Sequence, residues 1–338
     1  MGIETEFRAI VVDRIENAEG RKTQSAAIRV VDDGFLMAGD VTIAVEYSSI
    51  NYKDGLALMG RPGVVRAWPL VAGIDLVGTV EQSADPRWSA GDQVILNGAG
   101  LSETHHGGLA ERARVSGGSL VRLPNGISAV RAAAIGTAGF TAMLSVLGLE
   151  RGGVTPESGA VLVTGAAGGV GSVAVALLAA RGFQVHASTG RIDELGDYLR
   201  GLGAVELVDR RTLSEAGKPL QGQRWAGAVD SVGSATLANV LAQTNYGGVV
   251  TSCGLAQGAD LPATVMPFIL RAVSLIGINS VEAPLAQREE AWQRLASDLD
   301  LGLLDHLTQV IPLEASFDAA AGILAGTMHG RTVVDVRR

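Results

Sequence analysis

Two hydrophobic periodicities divide the chain. Between residues 7 and about 130, apolar and polar positions alternate over short stretches at 7–12, 41–47, 76–80, 93–96 and 110–115. Period-two alternation in runs of this length predicts half-buried strands. Turn formers such as Asp32-Asp33-Gly34 and Ala90-Gly91-Asp92 separate the runs, and Pro124-Asn125-Gly126 closes the set. Helical spacing is scarce, so this part predicts a small, β-rich, barrel-like domain. From Ser128 the pattern changes. Residues 131–149 are helical in composition despite Gly136 and Gly139. Solid apolar runs at 161–164, 183–188, 205–208, 226–233, 249–253 and 274–278 predict buried strands. Helices are expected from Ser172, over 193–202 (Asp193 as N-cap, Gly203 just past the end) and over 236–243, with a turn at Tyr246-Gly247-Gly248. Such alternation predicts a doubly wound parallel α/β sheet. Beyond residue 281 the character is mixed, with a helix over 285–295 and a last strand over 331–336.

The stretch Val161 to Gly171 joins these patterns to chemistry. A β-branched run leads into Gly165-Ala166-Ala167-Gly168-Gly169-Val170-Gly171 and then a small, apolar helix. Strand, glycine turn and helix N-terminus make an anion site, since free N–H groups and the helix dipole converge there. Gly168 and Gly171 fit the second and third glycines of the dinucleotide fingerprint, and Ala166 stands at the first. An NAD site places an acid about 20 residues on, at the end of the next strand. Here the chain reads Ser188-Thr189-Gly190-Arg191. An arginine in place of an acid favours the 2′-phosphate of NADP(H). The plainer reading makes Arg191 a solvated loop residue.

Composition narrows the picture. The 338 residues suffice for two domains, and 47% hydrophobic with 18% charged residues is a globular balance. A net charge of −8 without a basic run argues against nucleic acid as a partner. The single Cys253 excludes an intramolecular disulfide and a Cys-rich zinc site, as expected in a reducing cytoplasm. Met1 to Glu6 is acidic and lacks the apolar core of a signal peptide, and no run of about 18 apolar residues predicts a membrane span.

Several segments together resemble one family over nearly the whole chain. They are Asn51-Tyr52-Lys53-Asp54, Pro69 to Asp75, Gly107-Gly108-Leu109-Ala110-Glu111, Ile135 to Ala142, Thr164 to Gly171 and Thr264 to Arg271. The chain is similar to medium-chain dehydrogenase/reductases of the zinc-free quinone-oxidoreductase branch, most of all to the bacterial NADPH-dependent acryloyl-CoA reductases. The resemblance implies a doubly wound Rossmann domain (131–280) that binds NADP, inserted into a GroES-like barrel domain (1–130 and 281–338), and a homodimer. It implies reduction of a short enoyl-CoA, a small-molecule substrate. It places Ala167, Gly168, Gly169 and Val170 at the pyrophosphate, and Thr189, Gly190 and Arg191 at the 2′-phosphate. Leu255, Ile269 and Ser280 fall near the nicotinamide half. Tyr52 is both a cofactor contact and the catalytic candidate, by donation to a substrate enolate, or else an aromatic wall of the site. Zinc-dependent relatives carry Cys near Asn51 and His at Ile74, so no metal is expected, and His105-His106 reads as a loop. Arg61 and Arg66 are candidates for coenzyme A phosphates, against a solvated-loop reading. Two alternatives stay open: reduction of quinones or free enones, and nucleotide binding without catalysis.

Overall fold

A computed structural model describes residues 5–16, 20 and 22–338. The signal-peptide reading of Met1 to Glu6 therefore falls largely outside the described residues. In chain order, strands β1 (Phe7–Glu16), β2 (Lys22–Val31) and β3 (Val41–Ser49) precede helix α1 (Tyr52–Leu58). Strands β4 (Leu70–Val71), β5 (Asp75–Ser83), β6 (Gln93–Asn97), β7 (Arg112–Val115) and β8 (Val121–Arg122) follow. Helix α2 (Ala129–Arg151) leads to β9 (Val161–Val163), α3 (Gly169–Ala180), β10 (Val185–Thr189), α4 (Ile192–Gly201) and β11 (Ala204–Asp209). Next come β12 (Trp225–Asp230), α5 (Ser234–Gln243), β13 (Thr244–Ser252), α6 (Met266–Arg271) and β14 (Ser274–Gly277). The chain ends with α7 (Leu285–Asp298), α8 (Leu301–Leu307), β15 (Thr308–Pro312), α9 (Ser316–Leu324) and β16 (Arg331–Asp335).

Two compact units form. One comprises Met1–Thr137, Ser280–Ala296 and Leu304–Arg338; the other comprises Ala138–Asn279 and Ser297–Leu303. The first is the β-rich unit. Its sheets run β2-β1-β4 and β15-β16-β3-β5-β6-β8, with β7 on β3. The alternating residues Ile43, Leu76, Val94 and Leu96 point into one core with Ile10, Leu70, Leu109 and Leu120, all at most 2% exposed. Each such side chain contributes about 1.5–3 kcal/mol by leaving water.

The second unit is a six-stranded sheet in the order β11-β10-β9-β12-β13-β14. All its pairings are parallel. Counted within the unit this is 3-2-1-4-5-6, the order of a dinucleotide-binding sheet, whose direction reverses between β9 and β12. Ligands bind such sheets beyond the carboxyl ends of the strands at that reversal. Apolar α2 is long enough to cross a membrane, but 94% of its most apolar stretch is buried, so it is a core helix.

Three local expectations are corrected. Helix α3 begins at Gly169 rather than Ser172, since contact with the preceding turn overrides the low helix propensity of its glycines. Asp193 is not the cap of α4. Arg191 takes that place, and Asp193 sits in the first turn, facing the positive end of the dipole. The expected turn at 246–248 lies inside β13. Trp225 pairs with Thr244 and Gly227 with Val249, so the surplus residues bulge out.

Candidate functional site

At the reversal of the parallel sheet, strands β9 and β12 end in a buried polar clamp. The Thr164 hydroxyl donates to Asp230 Oδ1 at 2.6 Å, and the Ser231 and Gly233 amides donate to Thr164 Oγ1 and Asp230 Oδ2 at 3.1 and 2.8 Å. Burial holds the Asp230 carboxyl above the usual carboxylate range, against these hydrogen bonds. The clamp fixes where the glycine turn starts. Gly165 has φ 59°, which favours glycine, and a Cβ on Gly171 would lie 2.3 Å from the Gly165 oxygen. The turn thus needs Gly165 and Gly171, and Ala166 serves in place of the fingerprint's first glycine because Gly165 makes the positive-φ bend. Gly168 is the N-cap of α3 and offers no side chain to the first amides of that helix. Those amides, with Ala167, Gly168, Gly169 and Val170 around them, suit a pyrophosphate.

Thr189 and Gly190 follow on β10, with Arg191 next to them. The Arg191 amide donates to Thr189 Oγ1 at 3.2 Å, and its guanidinium lies 3.6 Å from Glu194. A second arginine, not singled out from the sequence, stands opposite. A Cβ on Gly190 would come within 2.4 Å of Arg210 Nε, so the Arg210 side chain lies directly on Gly190. Arg211 is the one that closes on Asp209, which leaves Arg210 over Gly190. The available signal was the pair Arg210-Arg211 straight after the third strand. Of the other expected contacts, Leu255 and Ile269 are 64% and 71% exposed on the parallel-sheet unit, whereas Ser280 belongs to the β-rich unit. Cys253 is a half-buried thiol that donates to the Asp230 carbonyl at 3.3 Å, and desolvation of its sulfur pushes its pKa up to about 12, so little thiolate forms.

In the β-rich unit Tyr52 opens α1 and is 52% exposed. Beneath it is a buried network. The Asn51 amide donates to Asp54 Oδ2 at 2.8 Å, and Asp54 Oδ1 accepts from the Ile74 amide at 2.9 Å. Asn51 Nδ2 bridges Asp54 and Asp75 at 3.1 and 2.8 Å. Asp75 also accepts from Ser49 Oγ, Asn97 Nδ2 and the Thr137 amide at 2.6, 2.7 and 2.9 Å. Buried Arg331 donates to Ser49 Oγ, Asn51 Oδ1 and the Ala134 carbonyl. Burial, and then the charge of Asp75, raise Asp54 to about 7. Lys53 is paired with Glu103 instead. Arg66, 68% exposed, lies 3.9 Å from the same acid, and Arg61 is exposed.

Among the described residues no group of three or more His, Cys, Asp or Glu side chains is placed to hold a metal ion. Ile74 is buried. His106 accepts from the Val71 amide at Nδ1 and bonds the Phe35 carbonyl through Nε2, so both its nitrogens serve the backbone. His105 bonds the Ala38 carbonyl.

Comparison with known proteins agrees with these two halves. Residues 37–125 match the alcohol dehydrogenase GroES-like domain, and residues 169–297 match the zinc-binding dehydrogenase family. The chain is 51% identical to acrylyl-CoA reductase AcuI of Ruegeria pomeroyi, covering 98% of this chain and 99% of that one. It is 46% identical to the putative quinone oxidoreductase YhfP of Bacillus subtilis, covering 92% and 94%. A structure of the latter has NAD bound and superposes with a TM-score of 0.92 at 44% identity, covering 98% and 99%. The yhdH oxidoreductase of Salmonella enterica, in complex with NADP, superposes with a TM-score of 0.93 at 48% identity, covering 97% and 99%.

Proposed function

The chain belongs to the medium-chain dehydrogenase/reductase superfamily, and from that premise we propose that it reduces the C=C bond of acryloyl-CoA to propionyl-CoA with NADPH. The end-to-end likeness to a protein named acrylyl-CoA reductase carries the reading. The cofactor residues fit NADPH: an uncapped helix start for the pyrophosphate, and two guanidinium groups beside Thr189 and Gly190 for the 2′-phosphate. When bound, the nicotinamide supplies a hydride to the β-carbon of the substrate.

The chain's own residues do the rest. Ala167, Gly168, Gly169 and Val170 hold the pyrophosphate. Thr189, Gly190 and Arg191, with Arg210, hold the 2′-phosphate. Leu255, Ile269 and Ser280 contact the nicotinamide half. The Tyr52 hydroxyl donates to the thioester oxygen, where the negative charge of the enolate collects. The α-carbon then takes a proton from solvent, directly or through Tyr52. Arg61 and Arg66 answer the phosphates of coenzyme A. A conjugated thioester is electrophilic enough for this without a Lewis acid. The enzyme works as a cytoplasmic homodimer through β14. That strand ends its sheet and is half-buried to exposed along its length.

The test is NADPH consumption with acryloyl-CoA, free enones and quinones, followed by product analysis with NADPH deuterated at the transferred position. Label on the β-carbon alone is the expected result. Label on the α-carbon, or quinones reduced far faster than acryloyl-CoA, refutes it and favours the quinone reductase suggested by the Bacillus relative's name.

A further inference from the structure

The Asp75 network joins segments that are far apart in sequence. Ser49 and Asn51 come from the end of β3 and the start of α1, Asn97 from the end of β6, and Arg331 from the start of β16. Thr137 is the last residue before the chain leaves the β-rich unit, and its amide donates to both Asp75 oxygens at 2.9 and 3.0 Å. Ser280 is the first residue after the chain returns. Buried Arg288 donates to the Ser280, Val281 and Asn97 carbonyls at 3.3, 2.7 and 2.7 Å, and Asn97 in turn donates to Asp75. Gly136, with φ 48°, leaves room for the cluster, since a Cβ there would lie 2.6 Å from Asp75 Oδ2.

Placing a carboxyl group where no water reaches it is costly unless several donors surround it. Asp75 has those donors on both oxygens, and one of them is the Asn51 side chain. Asn51 in turn is the cap residue whose peptide sets the start of α1, and Tyr52 is the first residue of that helix. Its amide is held from both ends, with Oδ1 facing Arg331 and Nδ2 facing Asp75 and Asp54. A side chain so fixed cannot rotate without leaving buried charge unsatisfied.

We propose that Asp75 is a positioning residue for Tyr52, acting through the Asn51 side chain. The proposal rests on the reading of Tyr52 as catalytic, and its test has one arm that needs no turnover. In that arm 3-fluorotyrosine is placed at position 52 and its ¹⁹F resonance is recorded in the full-length protein. A single line is expected with Asp75 intact. Asp75→Asn is expected to shift or split it, and so is Asn51→Ser, which removes the bridge while keeping Asp75 and Arg331 themselves. If Asp75→Asn does not fold, Asn51→Ser decides. An unchanged line in a folded variant, checked by near-ultraviolet circular dichroism, overturns the proposal.

The second arm is a double-mutant cycle with acryloyl-CoA. Asn51→Ser is expected to lower kcat about ten- to hundredfold, the scale of a small misplacement, with a much smaller change in the KM for NADPH. In a Tyr52→Phe background it is expected to lower kcat by less than about threefold, because the two residues act as a unit. Full, additive losses overturn the proposal. If the unmodified protein does not reduce acryloyl-CoA, the functional reading falls, and the resonance still decides the positioning role.

Discussion

The proposed 2′-phosphate site sets two guanidinium groups beside one glycine, and adding a single carbon there tests whether they select NADPH. The Cβ of Gly190→Ala would lie 2.4 Å from Arg210 Nε and 2.9 Å from its Cδ and Cζ. No side chain tolerates that approach, and Arg210, an exposed and flexible residue, is what moves. A charge-assisted hydrogen bond to phosphate contributes about 1.5–3 kcal/mol, and an exposed arginine belongs at the low end. Gly190→Ala and Arg210→Ala should therefore each weaken NADPH binding about tenfold, while NADH, which has no 2′-phosphate, changes little. The two substitutions remove the same contact, so the double variant should bind NADPH about as weakly as either single one. Fluorescence titration of both nucleotides at fixed, moderate salt measures all four proteins. Equal losses for NADPH and NADH would refute the reasoning, as would additive losses in the double variant.

Other outcomes follow from the same residues. Tyr52→Phe should lower kcat and kcat/KM together by about 10²–10⁴-fold in steady-state assays if its hydroxyl meets the enolate, and a loss below about threefold makes Tyr52 a wall of the site. Asp54 is raised from the ordinary 3.8 to about 7, so its contribution to stability is present below pH 4 and lost as the pH rises through about 7. Urea unfolding should therefore show that the stability lost on Asp54→Asn shrinks by up to about 4 kcal/mol between pH 4 and pH 8, and parallel pH profiles would contradict this. Activity should survive dialysis against a chelator, whereas stoichiometric zinc by elemental analysis, lost together with activity, would overturn the metal-free reading.

Long periodic segments made most of the fold legible. The strands at β1, β3, β5 and β6 were legible as short apolar runs, but the half-buried alternation expected of them is not what forms: Ala9 to Val12, Asp75 to Gly78 and Val94 to Asn97 are buried on both faces. The parallel strands at β9 and β12 announce themselves as solid apolar runs because both faces are buried. Strand β2 escaped for the same physical reason: it is an edge strand of mostly exposed or half-buried residues, so it carries no clear pattern. Helix α1 escaped because seven residues are too few for a period. Its start was written in the chain all the same, as Asn51 and Asp54 three apart, the spacing of a capping box, and the structure makes one of its two hydrogen bonds, from the Asn51 amide to Asp54 Oδ2.

The site was legible only where chemistry is local. A glycine turn between a strand and a helix is one continuous stretch, so residues 161–171 could be read directly. Arg210 approaches Gly190 from the next strand, and the sequence states only that two arginines end that strand. The Asp75 cluster is further from local reading, because its donors are spread from Ser49 to Arg331. Their convergence also decides what the acids next to Ile74 can do. Both oxygens of Asp75 accept hydrogen bonds from the chain, and both oxygens of Asp54 do as well. Position 74 is apolar and position 51 an amide, so neither offers zinc a thiolate or an imidazole, and the oxygens of both acids already accept hydrogen bonds from Asn51, Asn97, Thr137 and the Ile74 amide. The two carboxylates are left to hold the polypeptide beneath Tyr52.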